Sequence, residues 1–203
     1  MQQQTTGTYR VLASPRGREE LLLIDVEDHD PTYVETGGYD DDLAADVDGL
    51  LPGYRVRATL TWSEDGTPRF SDVEVTARTL LEFVDAASNL FEAALDTMQE
   101  ARREDLGVNS RVTYGTDREP NGAVYTFAKQ PGARDLFEEI QSGVLPLEPL
   151  VERLHEHDDE PYELFVLRPY DHEFVVVYLV LDKGSVLADT VRDTYGCPRP
   201  DEA

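Results

Sequence analysis

The clearest alternation in the chain runs from Tyr54 to Trp62. Tyr54, Val56, Ala58, Leu60 and Trp62 fall on one face, and Arg55, Arg57, Thr59 and Thr61 on the other. A period of two, with β-branched and aromatic residues, predicts a half-buried strand. Thr8 to Ala13 alternates in the same way, with Tyr9, Val11 and Ala13 set against Thr8, Arg10 and Leu12. After a Pro15–Gly17 turn, Leu21, Leu22, Leu23, Ile24 and Val26 read as a strand covered on both faces. Asp28 to Asp48, punctuated by Pro31, Gly37, Gly38 and Asp40 to Asp42, reads as a turn-rich acidic loop. Glu64-Asp65-Gly66 is a hairpin signal leading into a further strand, Arg69 to Ala77. Phe70 and Val73 have opposite parity there, so a bulge is expected near Ser71 or Asp72. Short antiparallel strands packed this closely predict a small N-terminal β-barrel over 1–78, of the oligonucleotide-binding or SH3-like kind.

Thr79-Leu80-Leu81-Glu82 has the pattern of a capping box, in which hydroxyl and carboxylate satisfy the first N–H groups of a helix. Behind it Leu80, Val84, Ala87, Phe91, Ala94, Met98 and Ala101 alternate spacings of four and three. That stripe predicts a long connecting helix to about Leu106, stopped by Gly107. It would serve either as a homodimer interface or as packing for the sheet of its own domain, 79–203. Beyond it, Ser110–Tyr114 and Ala123–Ala128 form one predicted hairpin, Tyr162–Arg168 and Phe174–Leu181 a second. Phe174–Leu181 is apolar throughout, the signature of a central strand. Arg134–Gln141, Leu147–His155 and Ser185–Tyr195 read as helices, the last closed by Gly196. The expected fold class is α+β: an N-terminal barrel, a long helix, and a C-terminal α+β domain built on antiparallel hairpins.

Charge changes this picture. Forty-two acidic residues stand against eighteen basic ones, for a net charge of -24, and Lys129 and Lys183 are the only lysines. A compact state so charged repels itself and expects dense counterions, so stability should fall at low salt. The same balance disfavours generic binding to phosphate backbones. The apolar fraction of 40% argues against disorder. The first residues lack the basic and apolar regions of a secretory signal, and Phe174–Leu181 falls short of the roughly 20 apolar residues that cross a bilayer. The expected location is the cytoplasm, away from membranes. A lone Cys197 excludes an internal disulfide and a thiolate zinc cage.

Two candidate sites emerge. Arg55, Arg57 and Thr59, with Trp62 at the strand end, form a basic, hydroxyl-rich barrel face able to meet nucleic acid or a protein partner. Alternatively Lys129 and Lys183 each follow a strand and lead through a glycine turn to a helix start, a natural anion seat. Arg134, Arg168 or Ser185 would complete that second site. Neither turn is a P-loop, because GxxxxGK[ST] is absent. His155-Glu156-His157-Asp158-Asp159-Glu160 gathers metal-ligand types but reads better as the acidic end of a helix, and His29 and His172 read as loop residues. Gly184-Ser185 does not extend to GxSxG, and no cofactor motif is present.

Leu51-Pro52-Gly53-Tyr54 leading to Trp62, Asp135-Leu136-Phe137-Glu138-Glu139 with Gly143 and Pro146-Leu147-Glu148-Pro149-Leu150, and Ser185-Val186-Leu187-Ala188-Asp189-Thr190 resemble an uncharacterised family of haloarchaeal proteins. That resemblance covers most of the chain and implies a salt-adapted protein, without bringing an activity. The leading expectation is a non-enzymatic binding or adaptor protein acting through the barrel face. The alternative is an enzyme or sensor for a small phosphate or nucleotide, built on Lys129 and Lys183.

Overall fold

Strand-forming sequence dominates the computed structural model of this chain, which describes residues 3–64, 66–129, 132, 135–155 and 161–202. In chain order the elements are β1 (Gln3–Ala13), β2 (Glu20–Asp25), β3 (Pro31–Glu35), α1 (Asp41–Asp48), β4 (Arg55–Trp62), β5 (Pro68–Ala77), β6 (Leu80–Ala87) and α2 (Glu92–Arg103). They continue with β7 (Val108–Tyr114), β8 (Pro120–Ala128), α3 (Leu136–Gln141), α4 (Glu148–His155), β9 (Glu163–Pro169), β10 (Phe174–Val180) and α5 (Val186–Tyr195). The chain forms two compact units. The first holds Met1–Leu80, Ile140–Asp159 and Asp201–Ala203, the second Leu81–Glu139 and Glu160–Pro200.

The first unit is built on a sheet of order β3-β2-β1-β4-β5, all neighbours antiparallel. Alternation along β4 works as expected: Val56, Ala58 and Leu60 are buried while Arg57 is exposed. These residues join Val11, Leu23, Val34 and Tyr54 in one core, to which α1 adds Val47. Thr59 faces Asp72 and Leu60 faces Phe70, which leaves Ser71 as the extra residue of a bulge. Its hydroxyl donates to the Thr59 carbonyl at 3.1 Å. The opposite face of β1 and β2 is also covered, by residues that follow α3. Gly143 sits there with φ +73°, so close to Leu22 and Ile24 that a Cβ would collide with the Ile24 side chain.

The expected barrel is not closed. Where a ladder between β3 and β5 would run, side chains span the gap instead. Arg69 of β5 contacts Glu35 of β3 and donates to the carbonyls of Gly37 (2.6 Å) and Gly38 (3.0 Å). Tyr39 accepts from the Phe70 N–H at 3.2 Å, and its ring meets Phe70 edge to face. An arginine and a tyrosine satisfy backbone groups at these edges, and the sheet stays open. The stretch expected to be loop, Asp28 to Asp48, supplies both β3 and α1.

The second unit carries a sheet of order β6-β9-β10-β8-β7. β10 runs antiparallel to both β9 and β8 and is buried at all seven positions, as its apolar run predicts. Phe165, Leu167, Val176, Tyr178 and Val124 pack with Ala94 and Met98 of α2 and Ala188 and Val191 of α5. α5 has the ends read from its sequence: the Ser185 hydroxyl accepts from the Ala188 N–H at 3.3 Å, and Gly196 takes the left-handed conformation, φ 64°.

The long connecting helix is absent. Leu80–Ala87 is strand β6, and only Glu92–Arg103 is helical. Ala86 (φ 53°), near the end of β6, and Asn89 (φ 57°), between β6 and α2, adopt left-handed backbone, which no continuous helix allows. The local stripe was ambiguous, because Leu80, Leu81, Phe83 and Val84 suit a strand as well as a helix. Pairing with β9, some eighty residues away, decided it. The fold is therefore mostly β, with two five-stranded sheets and five short helices among the described residues, in place of a barrel joined by a helix to an α+β domain.

Candidate functional site

The structure does not gather the β4 residues into one binding face. Arg55, Arg57 and Thr59 share the outer face of the first sheet, whereas Trp62 has the parity of Leu60 and lies on the inner side at the strand end. There its indole N–H donates to Thr5 Oγ1 at 3.3 Å. Arg57 lies opposite Glu74, with a separation of 3.6 Å between exposed side chains, and Thr59 lies opposite Asp72. The Thr59 hydroxyl is hydrogen-bonded to that of Thr6 at 3.0 Å. Arg57 of the stripe thus meets a carboxylate, and Asp72 stands opposite Thr59. As a phosphate-tracking surface the stripe is largely neutralised.

The two lysines are also kept apart. Lys129 follows the end of β8 where Ala128 pairs with Phe174, and Lys183 lies beyond the opposite end, where Gly122 pairs with Val180. Six residue steps separate these ends, which at strand rise amounts to about 20 Å. Ser185 spends its hydroxyl on capping α5. Arg134 lies outside the described residues, as do residues 156–160 and the side chain of His155 from the acidic histidine segment. Among the described residues, no three or more His, Cys, Asp or Glu side chains are placed to share a metal ion. No described helix is long and apolar enough to cross a membrane. The stripe from Leu80 to Ala101 is consumed inside the chain, with Ala94, Met98 and Ala101 buried.

What surrounds Lys129 is more telling. A cavity of about 390 Å³ opens within the second unit between the end of β8, the start of α3 and the β9–β10 turn. Its walls include the rings of Phe127, Tyr170 and Phe174, with Leu136 and Val175; its polar lining is Lys129, Arg168 and His172 together with the acidic residues Asp135, Asp171 and Glu173. The register of β8 with β10 creates this site. Because Phe174 pairs with Ala128, the turn at 169–173 is brought against Lys129, and the Lys129 N–H donates to the Glu173 carbonyl at 3.0 Å. The His172 imidazole stacks at a tilt beside Phe174, centroids 5.5 Å apart, with Asp171 3.6 Å from its Nε2.

Arg168 forms the rigid side of the cavity. Its guanidinium grips Asp85 through two contacts of 2.6 Å, reaches Asp135 at 2.7 Å, and lies 4.6 Å from the centre of the Phe137 ring. These hydrogen bonds hold the Asp85 carboxyl below its ordinary value and push Arg168 further above its own. Asp135 in turn caps the first turn of α3, accepting from the N–H groups of Phe137 and Glu138. Arg168 is thereby committed to protein carboxylates. Lys129 has no ion-pair partner among the described residues and remains the cation a ligand can reach.

The chain belongs to a family of unknown function (DUF6663), whose profile spans residues 1–200. No curated protein and no solved structure matches it. The cavity was only half visible in sequence. Lys129 and Arg168 stood out as rare or well-placed cations, but Phe127, Tyr170 and His172 carried no signal of their own. Aligning the two predicted hairpins so that Phe174 faces Ala128 was the step that would have revealed them.

Proposed function

We propose that this protein binds a small organic anion in the cavity beside Lys129, with the aromatic walls holding the ligand's apolar body. The observation that carries this is the juxtaposition of a reachable ammonium with Phe127, Tyr170, His172 and Phe174 around about 390 Å³. That volume lies within the roughly 300–1,000 Å³ usual for small-molecule sites. Of the two cations in the lining, Arg168 is held by Asp85 and Asp135 and fixes the wall, which leaves Lys129 to meet a carboxylate or phosphate attached to a flat ring, with Asp171 and Glu173 limiting how much negative charge the site accepts. Binding needs no catalytic group, so the reading is of a sensor or carrier. The sheet face at Arg55, Arg57 and Thr59 supports a nucleic-acid or protein partner less well, because Glu74 and Asp72 face it.

The test is ligand-detected NMR with a panel of aromatic carboxylates and aryl phosphates against wild type, Lys129→Glu and Lys183→Glu. Hits should lose at least tenfold in affinity in Lys129→Glu and keep it in Lys183→Glu, whose site is at the other end of the hairpin. Hits indifferent to Lys129→Glu, or a panel with none, would overturn the proposal.

A further inference from the structure

Of the seven large apolar side chains exposed among the described residues, four lie on or beside one strand edge: Leu106, Val108, Val112 and Tyr114. β7 ends the second sheet, with β8 on one side and no strand on the other among the described residues. Its alternation is strict. Asn109, Arg111 and Thr113 turn to the covered face, where Asn109 donates to the Thr97 carbonyl, Arg111 reaches Asp96 and Glu100, and Thr113 bonds Tyr178. Val108, Ser110, Val112 and Tyr114 are left on the other face, exposed. An edge of unpaired N–H and C=O groups invites another strand, and proteins usually guard it with lysine, proline or a bulge. β7 contains neither residue, and its one register shift comes at the very end, between Thr113 and Tyr114.

Charge identifies the partner. Residues 106–115 contain no Asp or Glu, in a chain of net charge -24. The strand itself offers a basic partner no carboxylate to pair with, and a second copy meets little repulsion from it. The strand is also self-complementary. Antiparallel pairing about a two-fold axis at Val112 sets Val112 against its own copy, Ser110 against Tyr114, and Arg111 against Thr113. The two guanidiniums then do not face each other, and each stays with Asp96 and Glu100 of its own chain. We infer that β7 pairs antiparallel with β7 of a second copy, joining two five-stranded sheets into one of ten strands. This surface is separate from the Lys129 cavity and does not depend on it.

Light scattering coupled to size exclusion, in molar potassium chloride, reads the result directly. Wild type should run at twice the chain mass of 22.8 kDa. Val112→Lys, at an exposed position, should run at the single-chain mass with an unchanged far-ultraviolet circular dichroism spectrum. Should that variant misfold, cysteine pairing decides. In a Cys197→Ser background, Val112→Cys should oxidise to a linked dimer, because facing Cβ atoms in such a pair lie about 4.5–5.5 Å apart. Val186→Cys, exposed but away from the edge, should not. A wild type of single-chain mass, a dimer that survives Val112→Lys, or equal crosslinking at Val186 would each overturn the inference.

Discussion

Each unit buries a carboxylate, and the two are held differently. In the first unit Glu148 of α4 is paired with Arg10 of β1 through contacts of 2.8 and 3.2 Å, both residues only 3% exposed. Arg10 spends its remaining reach on the Gly53 carbonyl, at 2.9 Å. In the second unit Glu163, at the start of β9, is fully buried and shared. Arg192 of α5 and Arg199 of the following segment both contact it, and the Gly184 N–H donates to it at 3.0 Å. Desolvating a carboxylate costs several kcal/mol, and only close partners offset that. Glu148 depends chiefly on one arginine, whereas Glu163 has two cations and a backbone donor. The first arrangement is a single clasp between chain segments far apart in sequence; the second is a network that can lose a member.

The largest effect should come from breaking the clasp. Arg10→Met leaves Glu148 buried without its guanidinium and should cost about 3–5 kcal/mol in urea unfolding. The double variant Arg10→Met/Glu148→Leu should recover much of that loss, since an apolar pair of similar volume needs no desolvation. A double variant as unstable as the single one would show that packing, not the orphaned charge, sets the cost.

In the network the losses should be graded. Arg192→Met, at a residue 4% exposed, should cost about 2–3 kcal/mol, because Arg199 and the Gly184 N–H still serve Glu163. Arg199→Ala, at the more exposed partner, should cost about 1 kcal/mol. An Arg192→Met loss equal to that of Arg10→Met would erase the distinction between clasp and network.

The smallest effect concerns pH, and it divides two carboxylates of the same strand, β6. Burial raises the Glu82 pKa above 4.5, with Arg192, 3.7 Å away, acting against it. A raised folded value means that Glu82 favours the folded state below its unfolded pKa and loses that contribution as pH rises through the folded pKa. Asp85 is the reverse: hydrogen bonds from Arg168 lower it, so its contribution is present above its unfolded pKa and fades as pH falls through the folded pKa. Glu82→Gln should therefore gain slightly at neutral pH, the gain vanishing in acid. Asp85→Asn should lose stability at neutral pH and show a flatter acid limb. Unfolding curves recorded from pH 3 to 7 check both signs.

Most strands were legible because their signals are local. β4 alternates, β10 is apolar throughout, and α5 begins at a serine and ends at a left-handed glycine. Even the bulge at Ser71 followed from the parity of Phe70 and Val73. β6 was not legible, because Leu80–Ala87 fits two periods and its choice rests on pairing with β9. That the first sheet stays open was equally hidden, since it turns on Arg69 and Tyr39 satisfying backbone groups at its edges. The place of Lys129 at a strand end was legible, but the residues around it were not. Lys183 had the same local context and lies at the opposite end of the hairpin.

Sequence alone determined the strand-rich character, the central place of β10, the ends of α5 and the acidic surface, because each is set by neighbours within a few residues or by composition. Tertiary structure alone decided that a helical stripe becomes a strand, that the first sheet stays open, and that Glu148 and Glu163 are buried. It also decided that Lys129 shares a cavity with His172 and Phe174. In each of those cases the controlling contact joins residues far apart in the chain, and its energy exceeds the small local preferences that a sequence pattern records.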